Sequence, residues 1–142
     1  MALSASDKVR VGIIGCGGIA NGKHMPSLSH LDNVEMVAFC DIIVEKAEKA
    51  KKDFGTPDAK VYEDYKKLLE DKSIDVVHVC TPNRAHSFIT VDALDAGKHV
   101  MCEKPMAINS AEARKMLEAA KRSGKKLTIG YQNRQNANAQ YM

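Results

Sequence analysis

The sequence predicts a doubly wound α/β fold, with six parallel strands in the order 3-2-1-4-5-6 and helices packed on the sheet. Three observations carry that expectation. Short apolar runs rich in valine and isoleucine alternate with helix-patterned segments from one end to the other, which is how strands joined by crossover helices read. Such crossovers are right-handed and build a parallel sheet. The first run also ends in a glycine-rich turn, Gly15-Cys16-Gly17-Gly18-Ile19-Ala20, which marks the strand from which the two halves of such a sheet wind outward.

The elements follow in order. Val9 to Ile14 form the first strand, and a helical segment containing Lys23, His24, Met25 and Pro26 comes after the glycine turn. Val34 to Cys40 form the second strand. Residues 46–52 are rich in lysine with Glu45 and Glu48 interleaved, which reads as the solvated face of a helix. Lys60 to Tyr62 give a short third strand, followed by a helix over 64–72. The fourth strand spans 74–80, and a helix over 87–96 is stopped by Gly97. The fifth spans 98–102 and the sixth 127–131. Between them Ser110 to Ser123 is the clearest helix, with Ala113, Met116, Leu117 and Ala120 on one stripe. Asn109 caps its start, Glu112 stands where a capping-box partner belongs, and Gly124 ends it. The short valine- and isoleucine-rich runs suit strands buried on both faces.

At 142 residues the chain is one domain's worth, and 44% hydrophobic with 27% charged residues is ordinary for a globular protein that buries its own core. A net charge of +3 is too small to argue for nucleic acid or an anionic membrane. No run approaches the ~20 apolar residues of a membrane span, and the first eight residues lack the apolar core of a secretory signal, so a cytoplasmic protein is expected. Cys16, Cys40, Cys80 and Cys102 show no Cys-x-x-Cys spacing. They are expected to be small buried thiols, and no metal is expected. Residues 1–7 read as a tail and 8–134 as the domain. The polar, small stretch from Gln135 to Ala139 makes 135–142 the expected opening of a crossover toward a further domain outside this sequence.

The glycine turn carries the chemistry. Between a buried strand and a helix N-terminus, a side-chain-poor turn leaves main-chain N–H groups and the helix dipole facing whatever lies above, a setting that attracts a diphosphate. Gly15 permits the sharp turn and Gly17 the close approach. Gly18 and Ile19 continue it, and Ala20, where a third glycine is usual, is small enough for close helix–strand packing. Asp41 closes the second strand, about twenty residues past Ala20, where a carboxylate would hold a ribose 2′-OH. The plainer alternative is that Asp41 caps the next helix. Its charge would repel a 2′-phosphate, Ile42 and Ile43 follow it, and Lys46 is the only nearby cation. NAD is therefore expected over NADP.

Three further signatures stand at strand ends on the predicted ligand edge. They are Cys80-Thr81-Pro82-Asn83 with His86, then Glu103-Lys104-Pro105, then Gly130-Tyr131-Gln132-Asn133-Arg134. With the glycine turn and Cys40-Asp41, they resemble the N-terminal Rossmann half of the Gfo/Idh/MocA oxidoreductases. The resemblance covers residues 8 to 134. It implies that Gly15, Gly17 and Ala20 form the diphosphate turn, that Thr81, Pro82, Asn83 and His86 line the cofactor, and that Glu103 contacts the nicotinamide-side ribose. It implies that Lys104 assists proton transfer at the substrate hydroxyl, often beside a cis Lys–Pro bond, and that Asn133 and Arg134 lie near the nicotinamide or substrate. The implied reaction is hydride transfer between a nicotinamide and a sugar or polyol hydroxyl or carbonyl, in a longer protein that often self-associates. This sequence lacks the family's second, α+β domain, so catalysis by it alone is not expected to be complete.

Plainer readings stand beside these. His24, His78 and His99 read as core or surface histidines, Arg84 as a solvated side chain, and Met101, Met106 and Met116 as core filling. Gly17 to Lys23 fits a phosphate-loop spacing, but His24 stands where a hydroxyl must bind magnesium. A methyltransferase would leave Glu103-Lys104-Pro105 unexplained. The rival of a different class is a dinucleotide-binding sensor or regulatory module without turnover.

Overall fold

Six parallel strands pair in the order β3-β2-β1-β4-β5-β6 in the computed structural model, which describes residues 7–135. The order is the expected one. Most of the expected tail (residues 1–6) and of the crossover opening (136–142) lies outside the described residues.

β1 (Val9–Ile14) is central, pairing β2 (Val34–Cys40) on one side and β4 (Val76–Val79) on the other. Beyond β2 lies β3 (Lys60–Tyr62); beyond β4 lie β5 (His99–Cys102) and β6 (Leu127–Ile129). A π-turn, Ala20–His24, runs into α1 (Met25–Ser29). α2 (Val44–Phe54) follows β2, α3 (Tyr65–Leu69) follows β3, α4 (His86–Asp95) follows β4 and α5 (Ser110–Ser123) follows β5.

The core forms two clusters. Val11, Ile13 and Phe39 meet Met25, Ala47 and Ala50 under α1 and α2. Val77, Val79, Val100 and Cys102 meet Leu94, Ala93, Met116 and Ala119 under α4 and α5. Helices of the two halves thus lie on opposite faces of the sheet. Burial on both faces, expected of every strand, holds at the carboxyl ends of β1 and β2 but fails in β4 and β5, where buried and half-buried residues alternate. Their second face carries Val76, His78, His99 and Met101; Val76 packs against the cluster under α1 and His24 of the π-turn lies against His78, while these four residues stay half-buried.

Three element ends differ from expectation for local reasons. α3 stops at Leu69 rather than 72 because the Asp71 carboxylate takes the backbone N–H and hydroxyl of Ser73, closing a turn. Lys98 is buried instead of opening β5; its ammonium donates to the carbonyls of Asp71 (2.6 Å) and Ile74 (2.9 Å), holding that turn against the sheet. α5 begins with Asn109 Oδ1 accepting from the Glu112 N–H at 2.9 Å and ends on Gly124 at φ 68°, as expected. However, the Glu112 carboxylate accepts from the Ser87 hydroxyl and Lys115 rather than returning to Asn109. Leu117 is exposed, and Ala119 takes its place on the buried stripe.

All four cysteines are free and buried. Burial, reinforced by the Asp41 charge, pushes the Cys16 thiol up to about 12. Burial also raises Cys40 to about 12, Cys102 to about 11, and Cys80 as well. The thiolate is the reactive form. The native protein at pH 8 is therefore expected to leave a thiol-exchange reagent unconsumed, with all four groups titrating only after denaturant is added. A rapid native equivalent would contradict this packing.

Candidate functional site

The glycine turn is shaped by one backbone constraint. Gly15 has φ +93°, and a Cβ there would stand 2.8 Å from the carbonyl of Cys80 and 2.9 Å from the Thr81 nitrogen. The ends of β1 and β4 therefore meet main chain to main chain. At Gly17 and Gly18 a Cβ would meet nothing within 4 Å, so these residues leave an open shelf. Asn21 fastens the shelf from beneath: its amide donates to the carbonyls of Cys16 (2.7 Å) and Gly17 (2.9 Å). Asn21 was not singled out from the sequence, although a carboxamide at the start of a helix is a common tie of this kind.

Asp41 joins the turn to the end of β2. Its Oδ2 accepts from the Cys16 N–H at 2.9 Å and its Oδ1 from the Ile43 N–H at 2.8 Å. The bond to Ile43 closes a turn ahead of α2, whose N-cap is Ile43 with no side-chain cap, so Asp41 does not cap that helix. Each carboxylate oxygen retains a lone pair after these bonds, and Asp41 lines a cleft of about 560 Å³ together with Gly15, Gly17, Thr81 and Pro82. Lys46 and Arg84 line the same cleft; Arg84, expected to be merely solvated, comes to this edge because Asn83–Ala85 forms a 3-10 turn at the head of α4.

The residues present fit a dinucleotide. The shelf at Gly17 and Gly18 has room for a diphosphate against bare main chain. The Thr81 Oγ is buried at the cleft wall with no hydrogen-bond partner, a cost that a bound ligand's polar group would relieve.

Other expected residues lie elsewhere. Ala20 is fully buried under the turn, and Ile19 and Asn83 are exposed without lining the cleft. His86, expected against the cofactor, is 1% exposed, with Nδ1 2.7 Å from the Pro105 carbonyl and Nε2 2.8 Å from the Thr81 carbonyl. Sitting at the head of α4, its ring points back into the sheet edge and ties the loop after β4 to the loop after β5. Glu103 is buried and Lys104 exposed, and the Lys104–Pro105 peptide is cis. Asn133 and Arg134 fall in the 3-10 turn Gln132–Gln135, with the Arg134 guanidinium 5.8 Å from the centre of the Tyr131 ring.

A second cavity, about 390 Å³, opens between the π-turn with α1 and the half-buried face of β4, β5 and β6, lined by His24, His78, Met101, Glu103, Gly130 and Tyr131 among others. His24 Nε2 lies 2.6 Å from Glu103 Oε1 and His24 Nδ1 lies 2.8 Å from His78 Nδ1. Burial, with the His24 charge beside it, lowers His78 to about 4. Neither histidine was expected to take part in a shared network. Among the described residues no helix is long and apolar enough to cross a membrane, and no cluster of histidine, cysteine and carboxylate could hold a metal ion.

Comparison with known proteins gives a consistent answer. The chain is 38% identical over 128 residues to inositol 2-dehydrogenase of Salmonella typhimurium, and 39% identical over 129 residues to D-glucoside 3-dehydrogenase of Escherichia coli. These alignments cover 89% and 91% of this chain but only 38% and 36% of those enzymes. Among solved structures, the WlbA dehydrogenase of Bordetella pertussis, in complex with NADH and UDP-GlcNAcA, superposes with a TM-score of 0.88 at 30% identity, covering 97% of this chain and 39% of that one. KijD10, a 3-ketoreductase from Actinomadura kijaniata in complex with NADP and TDP-benzene, gives 0.87 at 28% identity over 95% and 41%. All four are named for redox turnover, and nothing among them favours a module without it. The profile of the oxidoreductase family with an NAD-binding Rossmann fold matches residues 9–131. The chain belongs to the Gfo/Idh/MocA oxidoreductase family, as its NAD-binding Rossmann domain.

Proposed function

We propose that this domain holds NAD in preference to NADP and serves a dehydrogenase that moves a hydride between the nicotinamide and a hydroxyl or carbonyl of a sugar or polyol. The observation that carries the reading is the cleft in which Gly15, Gly17, Asp41 and the unpartnered Thr81 hydroxyl converge. Bound there, a nicotinamide supplies the hydride chemistry. The chain's own residues do the rest. Gly17 and Gly18 admit the diphosphate, Asp41 accepts from the adenosine ribose hydroxyls, and Thr81 and Pro82 wall the cofactor. Asn83 stands at the edge of that wall, and Asn133 and Arg134 lie toward the nicotinamide or substrate. Glu103 meets the ribose beside the nicotinamide. Lys104, exposed at the end of β5 while Glu103 turns inward, takes or returns the proton of the substrate oxygen at Nζ. The inositol and glucoside dehydrogenases among the relatives support the substrate class.

Fluorescence titration tests the cofactor assignment. NADH is expected to bind about tenfold or more tightly than NADPH, since a 2′-phosphate brings its charge against Asp41. Asp41→Ala narrows that gap, and it also destabilises the fold by about 2 kcal/mol because two backbone N–H groups lose a charged acceptor. Equal or reversed affinities in the wild type would remove the assignment; Lys46 and Arg84 in the same cleft make this a real contest. The proton-transfer role is tested in a polypeptide carrying this domain with the remaining length of its relatives. There Lys104→Ala is expected to lower kcat about a hundredfold or more while leaving NADH affinity near wild type. Unchanged turnover would rule the role out.

A further inference from the structure

The Glu103–His24 contact is not a generic surface pair. Both side chains are nearly out of solvent, 5% exposed for His24 and 9% for Glu103, and they approach to 2.6 Å. Three features hold Glu103 in a single orientation. Its Oε1 faces His24 Nε2, its Oε2 accepts from the Lys104 backbone N–H at 3.1 Å, and Gly130 leaves the space its carboxylate needs. A Cβ on residue 130 would stand 3.2 Å from Glu103 Oε1. Each carboxylate oxygen still has a lone pair to offer a ligand hydroxyl.

His24 reaches this position through the π-turn. The Met25 N–H bonds the Ala20 carbonyl five residues back, and the extra residue rotates the helix beyond it by ~100° relative to a continuous α-helix. Ala20, His24 and Met25 are consequently all buried against the sheet, where a regular helix would turn one of them out. π-Turns carry a packing penalty and recur where a side chain must be aimed.

The far nitrogen of His24 is also engaged. Its Nδ1 meets His78 Nδ1 at 2.8 Å, with the two rings edge to face at 5.1 Å and 86°. His78 is held neutral by its burial. One hydrogen serves the Nδ1–Nδ1 contact, and the Glu103 carboxylate, which only accepts, takes the hydrogen on His24 Nε2.

We propose that His24 is a positioning residue for the cofactor's nicotinamide half: aimed by the π-turn and oriented by His78, it fixes the Glu103 carboxylate in the orientation that receives the ribose. The proposal rests on the reading above that Glu103 meets that ribose. It requires no proton to be transferred.

The experiment compares two ligands. ADP-ribose carries the adenosine, diphosphate and second ribose without the nicotinamide ring; ADP stops at the diphosphate. In the wild-type domain all are titrated alongside NADH. His24→Phe, which keeps the ring's bulk and removes the hydrogen bond, is expected to weaken NADH and ADP-ribose about tenfold and leave ADP unchanged. His24→Gln, which can still donate an N–H to the carboxylate, is expected to restore most of the loss. In a Glu103→Ala background His24→Phe should produce no further change, because the two act as one unit. Wild-type affinity for NADH in His24→Phe would overturn the proposal, as would an equal loss for ADP, which marks general loosening of the fold. If the wild type binds none of the three ligands, the functional reading fails rather than the geometry. The geometry is decided separately by 15N-correlated NMR of the wild-type histidines: hydrogen on His24 Nε2 is expected, and a bare Nε2 overturns the arrangement even if no variant folds.

Discussion

Gly15→Ala is expected to cost about 4 kcal/mol or more and to abolish cofactor binding, whereas Gly17→Ala two positions on leaves the melting temperature near wild type. At Gly15 two penalties add. The backbone holds φ +93°, where a side chain costs ~1–3 kcal/mol. The new methyl would also stand 2.8 Å from the Cys80 carbonyl and 2.9 Å from the Thr81 nitrogen. Those atoms are main chain at the end of β4, hydrogen-bonded through the Cys80 N–H to Ile14, so they cannot swing aside as a side chain would. Stabilities of single domains are ~5–15 kcal/mol, so this one change takes a large share. At Gly17 no atom lies within 4 Å of the added methyl. It occupies the shelf instead, and NADH affinity is expected to fall about tenfold without loss of stability. Thermal melts and titrations on the two variants check both halves. A Gly15→Ala protein that melts with the wild type would mean that β1 and β4 do not meet as described.

Acid is expected to destabilise the domain through His78 before Glu112 or Asp71 responds. Burial and the neighbouring His24 charge lower His78 from 6.5 to about 4 in the folded state. Between those values the unfolded chain binds a proton that the folded chain refuses. Stability is therefore undiminished above pH 6.5 and falls as pH drops toward 4. A tenfold difference in proton affinity is ~1.4 kcal/mol, so the full loss is about 3 kcal/mol by pH 4. His99, also lowered by burial, adds in the same direction. Glu112 and Asp71 are lowered from 4.5 and 3.8, so their stabilisation is lost only below those values, outside the window from pH 6.5 to 4.5. Denaturant melts across that window should show a loss of about 2 kcal/mol that His78→Phe largely removes. A flat profile in the wild type would show that His78 takes its proton freely in the folded state.

Much of the fold was legible because its determinants are local. The Asn109 cap and the Gly124 stop are set by residues within a turn of each other, and both lie where expected. The strand order followed from alternating patterns and a glycine turn after the first strand. Boundaries were less legible where a distant side chain intervened: α3 ends early because Asp71 closes a turn that Lys98, 27 residues on, clamps from just ahead of β5. The site divides in the same way. Gly15, Gly17 and Asp41 announce themselves by spacing, and the structure brings them to one cleft with Thr81. His86 carried a sequence signal, but the direction of its ring was not legible, because it depends on the Pro105 carbonyl 19 residues away.

What the sequence by itself determined is the order of elements and the turn that marks the cofactor, since glycine conformation, capping and apolar alternation act over a few residues. What only the tertiary structure decided is which side chains become partners. His24 meets Glu103 across 79 residues and His78 across 54, pairings created when a π-turn on one face and the register of β1, β4 and β5 bring them within hydrogen-bond reach. No local pattern encodes such a meeting, because its energy depends on distances that exist only after the sheet has formed.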